Sequence, residues 1–277
     1  MIGQPIEATP YWPPETTPEI HDPNAPSTTQ DTSNYPWILV NSTPATCVQI
    51  GLSHYFNDRG PIDIIISGPN YGRNTSAVFA LSSGTLGAAL EAAACGARAI
   101  AVSFAFFDRT NDPAIVEECC SHAVRICEWL ANEAVWGEGR LYTVNVPVVK
   151  GVTERKTSWT KMLQNEWRKG ACYQEVLEEG AVNHPETEEV KTRLQTHGEG
   201  ANQEAVGAEA TKMRRFKWAP RFTDVFKAVD EAGPGYDGWV VKEGQTSVTA
   251  IYANYKHVEG FDGELDLSSR RPPSSNM

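Results

Sequence analysis

An α/β fold with a mostly parallel sheet is predicted by three observations. Ile62-Asp63-Ile64-Ile65-Ile66 and Ala99-Ile100-Ala101-Val102 are short, β-rich apolar runs of the kind buried on both faces of a parallel sheet. Between them, a polar loop from Ser67 to Asn74 leads to a helix that opens at Ser82-Ser83-Gly84-Thr85 and runs to about Cys95. A crossover of this length joins two parallel strands and is right-handed. Finally, the helix carries Gly84, Gly87, Ala88, Ala89, Ala92 and Ala93, small residues that let its axis approach a sheet closely.

Bulk properties narrow the classes. The 277 residues, 40% of them hydrophobic, support one α/β domain over 1–277 with a sizeable core. A net charge of −11 argues against nucleic acid or an anionic membrane as the main partner, since either needs a basic face. No apolar run approaches the roughly 18 residues that a membrane-crossing helix needs, and residues 1–30 hold no hydrophobic signal segment. Cys47, Cys95, Cys119, Cys120, Cys127 and Cys172 form no Cys-x-x-Cys, so they read as reduced thiols, which suggests a cytoplasmic location. Of the glycosylation sequons at Asn41 and Asn74, the second falls in the polar Ser67–Asn74 loop, read below as a ligand loop in which a glycan would not fit.

Along the chain, residues 5–36 are rich in proline, threonine and serine and read as loop or disorder. The core α/β region spans 37–150. Trp37–Val40 reads as a strand, and Thr43-Pro44 starts a helix whose apolar side includes Val48, Leu52 and Phe56. Ser103–Phe107 leaves the sheet toward the site. Asp112-Pro113 begins a long helix to about Glu133, apolar through Ile115, Cys119, Val124, Ile126 and Leu130, in which His122 reads as a surface or satisfied residue. Leu141–Val146 is a strand closed by Pro147.

Residues 151–215 read as an excursion, with Trp159, Met162, Trp167 and Tyr173 among polar neighbours that suggest local packing or an oligomer contact. Within it, 178–212 is a mobile surface insertion. In 216–260, Thr223-Asp224 caps a helix through Ala232, Trp239-Val240-Val241 reads as a strand, and Thr246–Tyr252 is the last strand. Gly233-Pro234-Gly235-Tyr236-Asp237-Gly238 matches Gly-x-Gly-x-x-Gly, but it follows a helix and Pro234 lacks an N–H, so a dinucleotide-dependent oxidoreductase is disfavoured. Residues 262–277 read as a disordered tail.

In open α/β sheets ligands collect beyond the carboxyl ends of the strands. There, the loop after Ile66 supplies amides and hydroxyls, and the helix start at Ser83-Gly84-Thr85 supplies unpaired N–H groups and a positive dipole end. An oxyanion such as phosphate fits this combination. Taken singly, Ser83 is equally an N-cap, Gly68 and Gly72 turn residues, and Asn70 and Asn74 Asx-turn positions; their co-location at one strand end favours the ligand site.

At these residues the sequence resembles the survival protein SurE phosphatases, or nucleotidases. Ser67-Gly68-Pro69-Asn70-Tyr71-Gly72-Arg73-Asn74 is similar to that family's Ser-Gly-x-Asn-x-Gly-x-Asn motif, and Ser83-Gly84-Thr85 with Ala88, Ala89 and Glu91 to its helix start. Thr43–Val48, Asn145-Val146-Pro147, and Thr223-Asp224 with Ser247-Val248-Thr249 extend the resemblance over about half of the chain. It implies a three-layer, Rossmann-like SurE fold and a metal-dependent phosphomonoester hydrolase of the acid phosphatase or 5'-nucleotidase type. The implied cofactor is Mg²⁺ or Mn²⁺, with Asn70 as metal ligand and Asn74, Ser83, Gly84 and Thr85 as phosphate contacts. The ligand is a small phosphate ester or nucleotide, Arg73 adds charge complementarity, and the hairpin region implies a homo-oligomer.

The departures matter equally. The family's first strand ends in Asp-Asp-Gly, which binds the metal and activates the nucleophile, and a later loop adds a serine ligand; this chain contains no Asp-Asp pair. The expectation is a chain truncated at its N-terminus by one βαβ unit of about 50 residues, lacking three of four metal ligands and, with them, assigned catalytic residues. Turnover is then expected to be impaired. The alternative is a non-catalytic fragment that binds phosphate or nucleotides, or pairs with a full-length paralogue. Thr46 in place of the family's aspartate and Ala250 in place of its proline bear on substrate fit.

Overall fold

The computed structural model describes residues 5–12, 36–56, 60–107, 112–167, 172–176, 215–220, 222–255, 257 and 259. In chain order the strands are β1 (Ala8–Tyr11), β2 (Trp37–Val40), β3 (Ile65–Tyr71), β4 (Ala99–Ala105), β5 (Arg140–Pro147), β6 (Thr157–Trp159), β7 (Tyr173–Val176), β8 (Arg215–Trp218) and β9 (Thr246–Tyr252). The α-helices are α1 (Pro44–Ile50), α2 (Ala77–Ala80), α3 (Gly84–Ala94), α4 (Pro113–Glu133), α5 (Phe222–Ala232) and α6 (Asp237–Lys242). A π-helical turn, Gly51–Tyr55, extends α1.

The central sheet has the order β3-β4-β5-β9-β6. β3, β4 and β5 run parallel, β9 is antiparallel to β5, and β6 is parallel to β9. Alternation along β4 and β5 builds the two faces. Ile100, Val102, Phe104, Tyr142, Val144 and Val146 meet Cys119, Ala123, Ile126 and Leu130 of α4, whereas Ala99, Ala101 and Leu141 meet Leu86, Ala89, Ala92 and Ala93 of α3. This is a three-layer, Rossmann-like α/β fold. The alanine face of α3 lets that helix lie close to the sheet, with Ala89 and Ala92 fully buried. α4 begins where Asp112 caps it, its carboxylate accepting from the Ala114 N–H at 3.0 Å. Among the described residues, no strand pairs with the outer side of β3, and no helix is long and apolar enough to cross a membrane.

Several expectations change. Trp239-Val240-Val241 is helical, within α6, and not a strand. A short apolar run does not separate a buried helix from a strand by periodicity alone, and here two contacts made in the folded chain decide it. The Asp237 carboxylate accepts from the Gly238 N–H at 2.7 Å, and Gly238 lacks the Cβ that would sit 2.8 Å from Val229 of α5. Thr223 and Asp224 lie inside the first turn of α5, not before it.

Ala8–Tyr11, inside the stretch expected to be loop, pairs antiparallel with Trp37–Val40 in a separate two-stranded sheet. β3 begins only at Ile65 but continues through Tyr71, so Asn70 belongs to a strand rather than a loop. Part of the excursion returns to the central sheet as β6, where Trp159 packs near Trp129 and Tyr142; β7 and β8 form a separate hairpin. His122 is buried, with Nε2 3.2 Å from both the Thr246 and Thr157 hydroxyls. The expected insertion at 178–212 and the tail from 262 lie outside the described residues. All six cysteines are unbridged, with burial pushing Cys119 and Cys127 up to about 11.

Candidate functional site

The site is built by strand register. Ser67 of β3 stands opposite Ala101, but Asn70 stands opposite Ser103, so three steps along β3 match two along β4. Gly68 absorbs the extra residue at φ +104°, where a Cβ would lie 2.2 Å from the Val102 carbonyl oxygen and 3.2 Å from Thr85 Cγ2. Only glycine lets β3 pass between the β4 backbone and the start of α3. Ser103 in turn stands opposite Asn145, and Asn145 opposite Ser247. Asn70, Ser103 and Asn145 therefore form a polar row across the carboxyl ends of three parallel strands.

Hydrogen bonds lock that row. Asn74 donates its side-chain amide to Asn70 Oδ1 at 3.0 Å and to Ser103 Oγ at 2.7 Å, while Ser103 donates to Asn70 Oδ1 at 2.8 Å. The Asn74 N–H donates to Asn145 Oδ1 at 2.9 Å, and Asn70 Nδ2 donates to the Gly72 carbonyl at 3.1 Å. Both amide hydrogens of Asn74 are thus committed, and both lone pairs of Asn70 Oδ1 are filled. What remains open on these two side chains is one amide hydrogen of Asn70 and the Oδ1 of Asn74. Asn74 is 8% exposed, which excludes a glycan there.

The other predicted residues sit at the start of α3. Ser83 caps the helix, its hydroxyl accepting from the Leu86 N–H at 3.1 Å. Gly84 packs against Pro44 of α1, where a Cβ would meet Cγ at 3.0 Å. Thr85 adjoins Gly68, so the helix start and the β3 segment carrying Asn70 lie side by side. The first N–H groups of α3 have no intrahelical partner, as at any helix start; those of Gly84 and Thr85 belong to the turn that adjoins Gly68 of β3.

Arg73 turns away from the row, donating to the Phe106 carbonyl at 3.2 Å between the Phe107 and Phe226 rings, whose centroids lie 5.6 and 5.7 Å away. Burial lowers its pKa, yet a guanidinium stays charged. Among the described residues no carboxylate pairs with it.

A divalent metal does not fit the described donor set. Hard cations take about six oxygen ligands, carboxylates prominent among them. Among the described residues no group of three or more His, Cys, Asp or Glu side chains is arranged to hold one. Asn70 Oδ1 already accepts from Asn74 and Ser103.

Sequence reasoning did not single out Ser103, Asn145, Asp237 or Asn165 as site residues. The available signal for the first two was a lone polar residue inside an apolar strand, at matching register in β4 and β5.

Comparison with known proteins bears on the family and the fold. Residues 16–169 match the family model "Survival protein SurE". The chain is 29% identical over 274 residues to the probable tubulin–tyrosine ligase PBY1 of Saccharomyces cerevisiae, covering 93% of this chain and 33% of that protein. It is 41% identical over 115 residues to the 5'-nucleotidase SurE of Ruegeria pomeroyi, covering 39% of this chain and 42% of that enzyme. The chain thus spans less than half the length of these relatives. The crystal structure of the SurE protein from Aquifex aeolicus superposes with a TM-score of 0.56 at 20% identity, over 92% of this chain and 77% of that one, which establishes the shared fold. By the match of more than half its length, this chain belongs to the survival protein SurE family.

Proposed function

We propose that the carboxyl ends of β3, β4 and β5, with the start of α3, bind the phosphoryl group of a small phosphate ester, and that this polypeptide by itself hydrolyses it weakly or not at all. The observation that carries the reading is the contact of Thr85 with Gly68, which sets the unpaired N–H groups of Gly84 and Thr85 beside the Asn70–Asn74–Ser103 cluster. Ser83, Gly84 and Thr85 donate to phosphoryl oxygens, and the helix dipole adds attraction. Asn74 contacts phosphate directly only by releasing one of its two amide bonds. Asn70 ligates a cation, Mg²⁺ or Mn²⁺, only by freeing Oδ1. The charge of Arg73, which no carboxylate among the described residues pairs, raises the local potential.

The relatives named 5'-nucleotidase make a nucleotide the leading ligand class. Weak turnover follows because the described residues offer no carboxylate cage for a Lewis acid. The same observation favours the second reading, a phosphate or nucleotide binder without catalysis. Exposed Tyr173, Val176 and Trp218 on β7 and β8 support a homo-oligomer, and the six unbridged thiols support a cytoplasmic location.

Two measurements on the full chain test this. Calorimetric titration with inorganic phosphate and AMP is expected to give saturable binding that Gly84→Pro weakens, since proline removes one donor. p-Nitrophenyl phosphate with Mg²⁺ or Mn²⁺ is expected to turn over near the blank rate. Absence of binding would sink the site, and brisk metal-dependent hydrolysis would sink the impairment.

A further inference from the structure

Ser76 adopts φ 66° and ψ 157°, a region almost confined to glycine, and it is fully buried. It follows Asn74 by two residues and precedes α2. A serine persists there only if its surroundings hold it. They do so through two side chains distant in sequence. Asp237 Oδ2 accepts from the Ser76 N–H at 2.8 Å, while Oδ1 accepts from the N–H groups of Leu163 at 3.0 Å and Gly238 at 2.7 Å. Asn165 Nδ2 donates to Ser76 Oγ at 3.2 Å, and its Oδ1 accepts from the Val78 N–H at 3.1 Å. The Leu163 carbonyl takes the Ala77 N–H at 2.8 Å. The N–H groups of Ser76, Ala77 and Val78, which lead into α2, are therefore satisfied from 163–165 or Asp237.

We propose that Asp237 is a positioning residue of the phosphate site: its carboxylate keeps Ser76 in this conformation and so sets Asn74 with its amide between Asn70 and Ser103. This rests on the phosphate-binding reading for its functional consequence, though not for the conformational one. Asp237 is 1% exposed and has no cationic partner among the described residues, so its carboxylate is buried against backbone N–H donors. Burial accordingly pushes its pKa up, against the pull of those donors. That is a poor arrangement for stability alone and a good one for fixing a backbone.

Asp237→Asn probes this selectively. An amide oxygen can keep the Leu163 and Gly238 bonds, but its nitrogen then faces the Ser76 N–H, donor against donor. Ser76→Gly removes the need for a tether, because glycine adopts this φ and ψ freely. In the full chain, Asp237→Asn is expected to weaken inorganic phosphate binding by about tenfold and to move the Asn74 side-chain amide signals in a ¹H–¹⁵N spectrum. Adding Ser76→Gly is expected to return both toward wild type. Asp237→Asn with unchanged Asn74 signals would overturn the proposal. So would a double variant no closer to wild type than Asp237→Asn. Should wild type itself bind no phosphate, the binding reading falls, and the Asn74 signals still decide for or against positioning.

Discussion

Replacing Ser103 with alanine tests whether the strand-end cluster is a built unit. Ser103 is 1% exposed, and its hydroxyl both accepts from Asn74 at 2.7 Å and donates to Asn70 at 2.8 Å. Alanine fits the same strand position without a cavity, so the loss is of hydrogen bonds rather than packing. Two neutral bonds contribute about 2 kcal/mol net, and the stranded Asn74 amide hydrogen, in a nearly buried residue, brings the total to roughly 3 kcal/mol. Urea unfolding reads this directly: the midpoint should fall while the slope stays constant, since the surface exposed on unfolding hardly changes. Phosphate binding should weaken in parallel, because Asn70 and Asn74 lose the partner that fixes both. A stability loss below about 0.5 kcal/mol, the range of an ordinary surface change, would refute the bridging role of this hydroxyl.

Two further substitutions probe the frame around the site. Gly68→Ala places a Cβ 2.2 Å from a backbone carbonyl at a positive φ, so we expect a loss above about 4 kcal/mol or failure to fold; near-wild-type thermal stability would show that β3 does not run between β4 and α3 as described. Glu118 accepts from the Thr153 hydroxyl at 2.8 Å and from the N–H groups of Thr153 at 3.1 Å and Gly151 at 2.9 Å. The Thr153 hydroxyl first, then those N–H groups, hold its carboxyl below the usual range. A depressed folded pKa contributes stability above the unfolded value of about 4.3 that is lost as pH falls through the folded one. Thermal melts of Glu118→Gln should therefore converge on wild type below that window, and a constant gap at every pH would count against the assignment.

Much of the fold was legible because the relevant signals are local. Asp112-Pro113, Ser83 and Thr43-Pro44 mark helix starts by capping chemistry, and the structure begins α4, α3 and α1 there. The apolar runs of β4, β5 and β9 fell where strands are found. What failed was decided by tertiary partners. Trp239-Val240-Val241 has strand composition, yet Gly238 against Val229 and the buried Asp237 turn it into a helix. Ala8–Tyr11 sits in a proline-rich stretch, and only pairing with β2 makes it a strand.

The site divides along the same line. Asn70, Asn74 and the helix start could be read from one contiguous stretch, since a polar loop ahead of a small-residue helix is a local pattern. Ser103 and Asn145 could not, because their relation to Asn70 exists only in the register of three strands, and that register depends on one extra residue at Gly68. Asp237 lies 161 residues from Ser76 and carries no sequence mark of its task. The hydrogen-bond arithmetic then revises what the local motif suggests. An asparagine in such a motif reads as a ligand to metal or phosphate, but here Asn74 has no amide hydrogen to spare and Asn70 has no free lone pair on Oδ1. These two residues first hold the strand ends in register. Among the described residues, the groups that meet a ligand without first breaking a bond are mostly donors: the N–H groups of Gly84 and Thr85, the Ser83 hydroxyl and one amide hydrogen of Asn70, against Asn74 Oδ1 as acceptor. That balance favours an anion over a cation.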